Sequence, residues 1–144
     1  MSIITEIDGD IEDIDSSLVG ELNAMDTLLF YAENDTMSIY KVLVKTGVIS
    51  FPSLEFSTWQ IIQSSGNAFV LDTEILKEMV SMDIMINKHH IHSVNNLSDL
   101  ILKNMYKKDR DSKMTLYMVI GNHATMEIEI RDDLKALKES IINE

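Results

Sequence analysis

Four histidines are the residues of this chain best suited to bind a metal ion or to transfer a proton. Three of them are close together in the stretch KHHIHS, as His89, His90 and His92, and the fourth is His123. Imidazole nitrogen is a common zinc ligand, and structural zinc sites have four ligands. If the stretch is extended, His90 and His92 share one face and His89 points to the other. One hypothesis is therefore a metal-dependent hydrolase that uses His90, His92 and His123.

Other sequence signals of catalysis are missing. The chain has no Cys, no H-E-x-x-H zinc motif, no phosphate-binding P-loop and no G-x-S-x-G nucleophile motif. The plain interpretation of the histidines is a polar surface loop. The sequence thus predicts no catalytic residue and no cofactor, and it leans away from an enzyme.

The strongest charge signal lies at the N-terminus, in TEIDGDIEDIDSS, residues 5 to 17. Residues 1 to 40 carry ten acidic side chains and no Lys or Arg, in a chain of net charge −12. A calcium loop of the EF-hand type that began at Asp8 would need Gly at its sixth position and Glu at its twelfth. The sequence has Asp13 and Val19 there, which argues against calcium.

A continuous acidic surface attracts a basic partner and speeds its association. We therefore predict a non-catalytic binding protein, namely an inhibitor, an immunity-type protein or a viral or phage accessory protein. Its partner would be another protein with a basic surface, and a purely solubilising tail is the alternative. The predicted partner-binding residues are the acids of this region: Glu6, Asp8, Asp10, Glu12, Asp13, Asp15, Glu21 and Asp26.

A helix-turn-helix-like segment can also be drawn through residues 38 to 64, with Gly47 in the turn and Pro52 before the second helix. This gives a second alternative, a transcription regulator that binds nucleic acid. However, no Lys or Arg occurs between Thr46 and Glu74. DNA affinity depends heavily on neutralising phosphates, so the sequence disfavours a nucleic-acid partner.

The elements that must position these residues are predicted to be a mixture of helices and strands. Residues 1 to 15 should form a flexible acidic arm, or a short helix against the core or a partner, and residues 16 to 144 one α+β domain of five to six helices. The first helix, from Asp15 or Ser16 to about Glu33, should bury Leu18, Leu22, Met25, Leu29 and Ala32. Further helices are expected from about 37 to Gly47, after Asp72, after Asn96 and from Asp132 to the end.

A β-hairpin is predicted in KMTLYMVIGNHATMEIEIR, with strands at 113–120 and 124–131. Apolar residues alternate on both sides of Gly121-Asn122, a dipeptide typical of tight turns. Short extra strands are possible near 68–71 and 84–86, which would make the sheet larger.

The length and composition set the broad class of the protein. A chain of 144 residues with 45% hydrophobic content suits one globular domain. No apolar stretch is long enough to cross a bilayer, and the absence of Cys fits a reducing compartment. The expected location is the cytoplasm, or the host cytoplasm if the protein is viral or from a phage. The oligomeric state is left open.

Overall fold

The computed structural model describes residues 3–47, 51, 52, 54, 56 and 72–144, and every regular element within them is helical. Helix α1 spans Ile3–Phe30 and α2 spans Ile39–Thr46. Helix α3 (Thr73–Ile84) continues through a π-helical turn (Met85–His90) into α4 (Ile91–Asn104). Helix α5 spans Arg110–Ile142 and is the longest.

Buried positions repeat along α1 and α5 with a period of 3.5 residues. On α1, a series of residues spaced seven apart is fully buried, namely Ile7, Ile14, Glu21 and Leu28. On α5, buried residues follow one another at alternating spacings of three and four: Lys113, Leu116, Ile120, His123, Glu127, Ile130, Leu134 and Leu137. This period keeps one seam of each helix against its neighbour. The α1–α5 pair accordingly forms the most extensive helix–helix contact of the described chain.

The two long helices run antiparallel. Near the start of α1, Asp8 Oδ1 lies 2.6 Å from Nζ of Lys138, close to the end of α5. Just beyond the end of α1, Glu33 Oε1 lies 2.6 Å from Nε of Arg110, the first residue of α5. Helix α2 packs against α1, and α3, the π-helical turn and α4 pack against α5.

A polar layer divides the apolar core into two clusters. On α1, Glu21 lies between Leu18 of one cluster and Ala24 of the other. The first cluster also contains Ile14, Phe56, Met79, Ile86 and Ile130, and the second contains Leu28, Ile39, Leu97, Leu116 and Ile120. Buried polar side chains occupy the plane between the two clusters.

The predicted α+β fold is wrong, because the described residues contain no strand and the hairpin segments 113–120 and 124–131 both lie inside α5. Helix α5 begins where the Asp109 carboxylate accepts a hydrogen bond from the backbone N–H of Ser112. Gly121 is a position of close helix packing, not a turn. A Cβ added there would lie 3.0 Å from Cε of Met25 on α1.

The strand predicted at 84–86 is also wrong, since Ile84 ends α3 and the next two residues begin the π-helical turn. The possible strand at 68–71 falls outside the described residues. Residues 3 to 15, expected to form an arm or a short helix, are the first part of α1. Two of their isoleucines, Ile7 and Ile14, are fully buried.

Two predicted helix boundaries are confirmed. Helix α2 ends before Gly47 as predicted, with a φ of 87° at the glycine, while its start lies at Ile39, where the Ser38 side chain caps it by accepting a hydrogen bond from the backbone N–H of Lys41. The Asp72 side chain caps α3 through the backbone N–H of Glu74. In the part of the chain that the structure describes, no helix combines the length and apolar character needed to span a membrane.

Candidate metal centre

The polar layer consists of four side chains that bind metals in other proteins, and all four are buried. Glu21 comes from α1, His90 from the end of the π-helical turn, and His123 and Glu127 from α5. Their exposed fractions are between 0% and 2%. Three helical segments therefore contribute to one enclosed cluster.

The local helix geometry explains this convergence. His123 and Glu127 are four residues apart on α5, so they lie on the same face one turn apart. A π-helical turn holds more residues per turn than an α-helix, and such turns occur often at functional sites. Here the turn ends with His90 pointing inward, whereas His89 and His92 on either side are exposed.

The nitrogen and oxygen atoms of the cluster lie close together. His123 Nε2 is 3.0 Å from Glu127 Oε1 and 3.2 Å from Glu21 Oε1. His90 Nε2 is 3.6 Å from Glu127 Oε2, and the two imidazole centroids are 5.3 Å apart. Among the described residues, none of these buried atoms makes a hydrogen bond of acceptable geometry. One ligand atom from each of His90, His123 and Glu127 lies within 4.8 Å of the other two, and Glu21 contacts this group through His123.

The outer nitrogen of His123 is held in place by a neighbouring helix. Ser93 Oγ on α4 lies 2.7 Å from His123 Nδ1. Phe51 packs edge-on against the same imidazole, with 5.4 Å between the ring centroids. A hydrogen bond to the outer nitrogen of a ligating histidine fixes its tautomer and ring orientation.

The two carboxyl groups have opposite pKa shifts. Burial, reinforced by the nearby Glu127 carboxylate, raises the pKa of Glu21 from 4.5 to about 10. Burial also acts to raise the pKa of Glu127, but interactions with the His123 and His90 imidazoles outweigh it and lower that pKa to about 2. In the metal-free protein at neutral pH, Glu21 is therefore the protonated partner and Glu127 the ionised one.

No protein-family model, curated protein sequence or solved structure matches the chain. The functional argument therefore depends on the geometry of the cluster.

Two of the three histidines proposed as metal ligands meet in this cluster, namely His90 and His123. The third, His92, is exposed, and its Nε2 lies 3.1 Å from the Asn96 side-chain amide nitrogen. The third member of the group is Glu127 instead of His92. The candidate ligand atoms of His90, His123 and Glu127 lie within 4.8 Å of one another. Glu21 adds a fourth possible ligand.

The eight acids predicted to bind a partner lie on α1 in different environments. Three of them are buried, Glu6, Asp10 and Glu21. Two exposed ones are paired within the chain, Asp8 with Lys138 and Asp15 with Arg131. The other three are exposed: Glu12, Asp13 and Asp26. Binding of a basic partner by this surface stays a prediction.

The helix-turn-helix hypothesis for 38–64 also stays a prediction. The structure describes its first helix as α2, while most of the residues after Gly47 in this segment lie outside the described residues.

Sequence reasoning missed both glutamates as candidate ligands. In the predicted hairpin, His123 lies before the strand 124–131 that contains Glu127, so their spacing of four residues does not by itself place them on one face, whereas in a helix it does. Glu21 lies outside the apolar stripe predicted for the first helix. The available signal was the spacing of seven residues that places Glu21 in line with Ile7, Ile14 and Leu28.

Proposed function

We propose that this protein binds one divalent transition-metal ion between Glu21, His90, His123 and Glu127, and that this ion is its functional centre. The observation that carries the proposal is a chain of three contacts of 3.0–3.6 Å that links four buried ligand side chains, whose facing atoms form no well-aligned hydrogen bond. Buried carboxylates and imidazoles without good partners cost several kcal/mol of stability. A cation between these side chains would offset this cost.

The distances support coordination of a single ion. Nitrogen and oxygen ligands bind zinc at about 2.0–2.2 Å, so two ligands at tetrahedral or octahedral angles are about 3.0–3.5 Å apart. The two contacts of His123 Nε2, at 3.0 and 3.2 Å, fall in this range. The 3.6 Å contact between His90 and Glu127 is slightly longer. Small side-chain movements would bring all four groups to an ion.

The ligand types favour a transition metal and, in particular, iron(II). Calcium and magnesium prefer ligand sets made of oxygen, whereas imidazole suits iron, zinc, copper and nickel. Two histidines and one carboxylate, here His90, His123 and Glu127, are the ligand set of many non-haem iron(II) centres that keep open positions. With Glu21 as fourth ligand, zinc would instead fill a closed tetrahedral site.

Two nearby histidines, His90 and His92, provide a matched test of the proposal. Untagged protein, stripped with a chelator, should bind one equivalent of Fe(II), Co(II) or Zn(II) and melt at a higher temperature with the metal. His90→Ala should lower the affinity at least about 100-fold, since even the loss of a residue behind a ligand costs 10- to 100-fold. His92→Ala, which changes an exposed histidine two residues away, should behave like the unmodified protein.

Metal titration with elemental analysis measures how much metal each protein binds, and circular dichroism shows whether it is folded. If the folded wild-type protein takes up no metal, the proposal is wrong. Equal metal binding by the His90→Ala and His92→Ala proteins would contradict the assigned ligands. If His90→Ala does not fold, Glu21→Gln keeps the shape of the side chain and should still weaken binding.

The contact between Ser93 and His123 leads to a separate prediction. Ser93→Ala removes the hydroxyl that holds Nδ1 of His123 but leaves every proposed ligand in place. Metal affinity should fall by about 10- to 100-fold with the stoichiometry unchanged at saturation. Competition with a chelator of known affinity measures this change. Ser98→Ala, farther along the same helix, is the control and should have wild-type affinity.

A further inference from the structure

Helix α1 has a second stripe of residues, which is exposed and which we call the outer seam. Its members follow one another at spacings of four and three residues: Asp15, Val19, Leu22, Asp26 and Leu29, with Phe30 adjoining the last. The four apolar members are between 50% and 79% exposed. Residues three and four apart are neighbours on a helix surface, so these side chains form one continuous stripe. Single exposed apolar residues are ordinary, but a continuous stripe points to an interaction site.

The spacing of the outer seam is that of a helix–helix interface. Alternation of four and three gives a period of 3.5 residues, the same as in the seam that α1 buries against α5, and it lets a second helix follow the stripe. From Asp15 to Leu29 the stripe advances about 21 Å, at a rise of about 1.5 Å per residue. A helix of about four turns would therefore cover it.

We propose that the outer seam binds a basic amphipathic helix of another protein. The apolar face of that helix would contact the apolar members of the seam, and its Lys or Arg side chains would lie beside the acids of α1. Residues 1 to 40 contain no Lys or Arg, so α1 itself offers no positive charge to oppose such a partner. Asp26 lies in the middle of the seam, is exposed and forms no ion pair with the residues that the structure describes.

A hollow beside Asp26 fits one long basic side chain of the partner. Its volume is about 460 Å³, and its lining includes Asp26, Thr27, Phe30, Tyr31 and Lys45. Among these lining residues Lys45 alone is basic, and its Nζ lies over the Tyr31 ring, 5.7 Å from the ring centroid. An incoming Arg could stack on the Phe30 ring while its guanidinium group pairs with the Asp26 carboxylate.

The charge of α1 disfavours the other candidate partners of the outer seam. A two-fold dimer would use the same patch on both copies, which would bring two acidic helices without any Lys or Arg against each other. Like charges placed together across an interface weaken it. Nucleic acid and anionic lipid surfaces would be repelled by the same acids and by the net charge of −12. A basic helix is the partner whose charge and shape both fit.

The test uses two synthetic amphipathic helices of about three heptads with the same Leu face. One peptide has Lys at its polar positions and the other has Glu. Calorimetric titration of the untagged full chain should show one-to-one binding of the Lys peptide, weaker at about 300 mM than at about 50 mM salt, and no binding of the Glu peptide.

Matched variants show whether the peptide occupies the outer seam. Leu22→Gln should weaken binding of the Lys peptide about tenfold, because it removes an apolar contact. Leu102→Gln changes an exposed leucine of α4 and should bind like the wild type. Asp26→Asn should weaken binding about threefold and reduce its salt dependence, whereas Asp99→Asn, an exposed acid of α4, should do neither.

Each other outcome contradicts part of the proposal. Absence of binding by the Lys peptide overturns it, and equal binding by the Glu peptide overturns the basic character of the partner. Equal affinities of Leu22→Gln and Leu102→Gln would show that the peptide binds elsewhere. A wild-type dimer in analytical ultracentrifugation that Leu22→Gln converts to a monomer would assign the seam to a second copy. The altered side chains are exposed and lie outside the metal cluster, so the result does not depend on the proposed metal centre.

Discussion

Glu21→Met should stabilise the metal-free protein by about 1–4 kcal/mol while weakening metal binding at least about 100-fold. Methionine is similar in length to glutamate and apolar, so it can pack between the two apolar clusters without a buried carboxyl group. At neutral pH the folded protein must keep Glu21 protonated although the unfolded chain releases this proton, and methionine removes that cost. The same change removes one ligand and one negative charge from the proposed metal centre.

The stabilisation of the metal-free protein by Glu21→Met, relative to the wild type, should grow as the pH rises. Folded Glu21 has a pKa of about 10, above its ordinary value of 4.5, so the folded protein holds a proton that the unfolded chain releases between these values. Wild-type stability should therefore fall as pH rises through this window, and Glu21→Met should lack that decline. Glu127 acts oppositely, because its lowered pKa gives stability that is present above pH 4.5 and lost toward pH 2.

Urea denaturation of both proteins with excess chelator, at pH 5, 7 and 8.5, measures this difference. Glu12→Met changes an exposed acid of the same helix and should shift stability by no more than about 0.5 kcal/mol. If Glu21→Met destabilised the chelated protein at pH 7, Glu21 would be a structural hydrogen-bonding residue instead of a proposed ligand. Equal metal affinity in both proteins would contradict its role in the centre.

Lys113→Met should destabilise the protein by about 2–3 kcal/mol, independently of metal. Lys113 is fully buried in α5, and its ammonium group donates hydrogen bonds to the backbone carbonyls of Tyr31 and Asn34. These carbonyls lie just beyond the end of α1, where oxygen atoms have no partner within the helix. A positive charge at this end also interacts favourably with the helix dipole.

Methionine preserves most of the buried stem of Lys113. The change therefore removes only the ammonium group and leaves its two carbonyl acceptors without this donor. For a chain of this size, the melting temperature should fall by roughly 5–10 °C. Lys135→Met removes an exposed ammonium group from the same helix and should have little effect. A melting temperature that falls equally in both variants would show that Lys113 contributes only general charge.

Two helix ends were predictable, whereas the helix starts expected at Asp15 or Ser16, Asn96 and Asp132 lie inside longer helices. Gly47 and Asp72 act through backbone conformation or a local hydrogen bond, which depend on a few neighbouring residues. These features can be recognised without knowledge of the tertiary structure. The sequence therefore located the end of α2 and the start of α3 correctly.

The character of α5 could not be predicted because its buried seam contains polar residues. Lys113, His123 and Glu127 occupy seam positions, so the apolar residues alone do not show a helical period. The remaining residues alternate in a way that resembles two strands, and Gly121-Asn122 resembles their turn. The groups that form the candidate site are thus the ones that concealed the helix.

The predicted buried face of α1 was wrong for the same reason. The predicted stripe included Leu22 and Leu29, which are 50% and 52% exposed. The actual seam includes Glu21, a residue type that is seldom buried without a partner. Only the tertiary structure brings Glu21 against His123, and no local rule assigns a glutamate to a core position.

The π-helical turn makes the candidate site depend on the length of one helix. Each residue advances an α-helix by about 100°, so deleting one residue within Met85–His90 would rotate α3 relative to α4 by about that angle. The rotation would then move one of two buried pairs out of the interior. The pairs are Met82 with Ile86 on the α3 side and His90 with Leu97 on the α4 side. A chain that lacks one residue of this turn can therefore keep the α3 core residues or His90 in the interior, but not both. The number of residues in the turn thus determines whether His90 can reach the cluster while α3 stays packed.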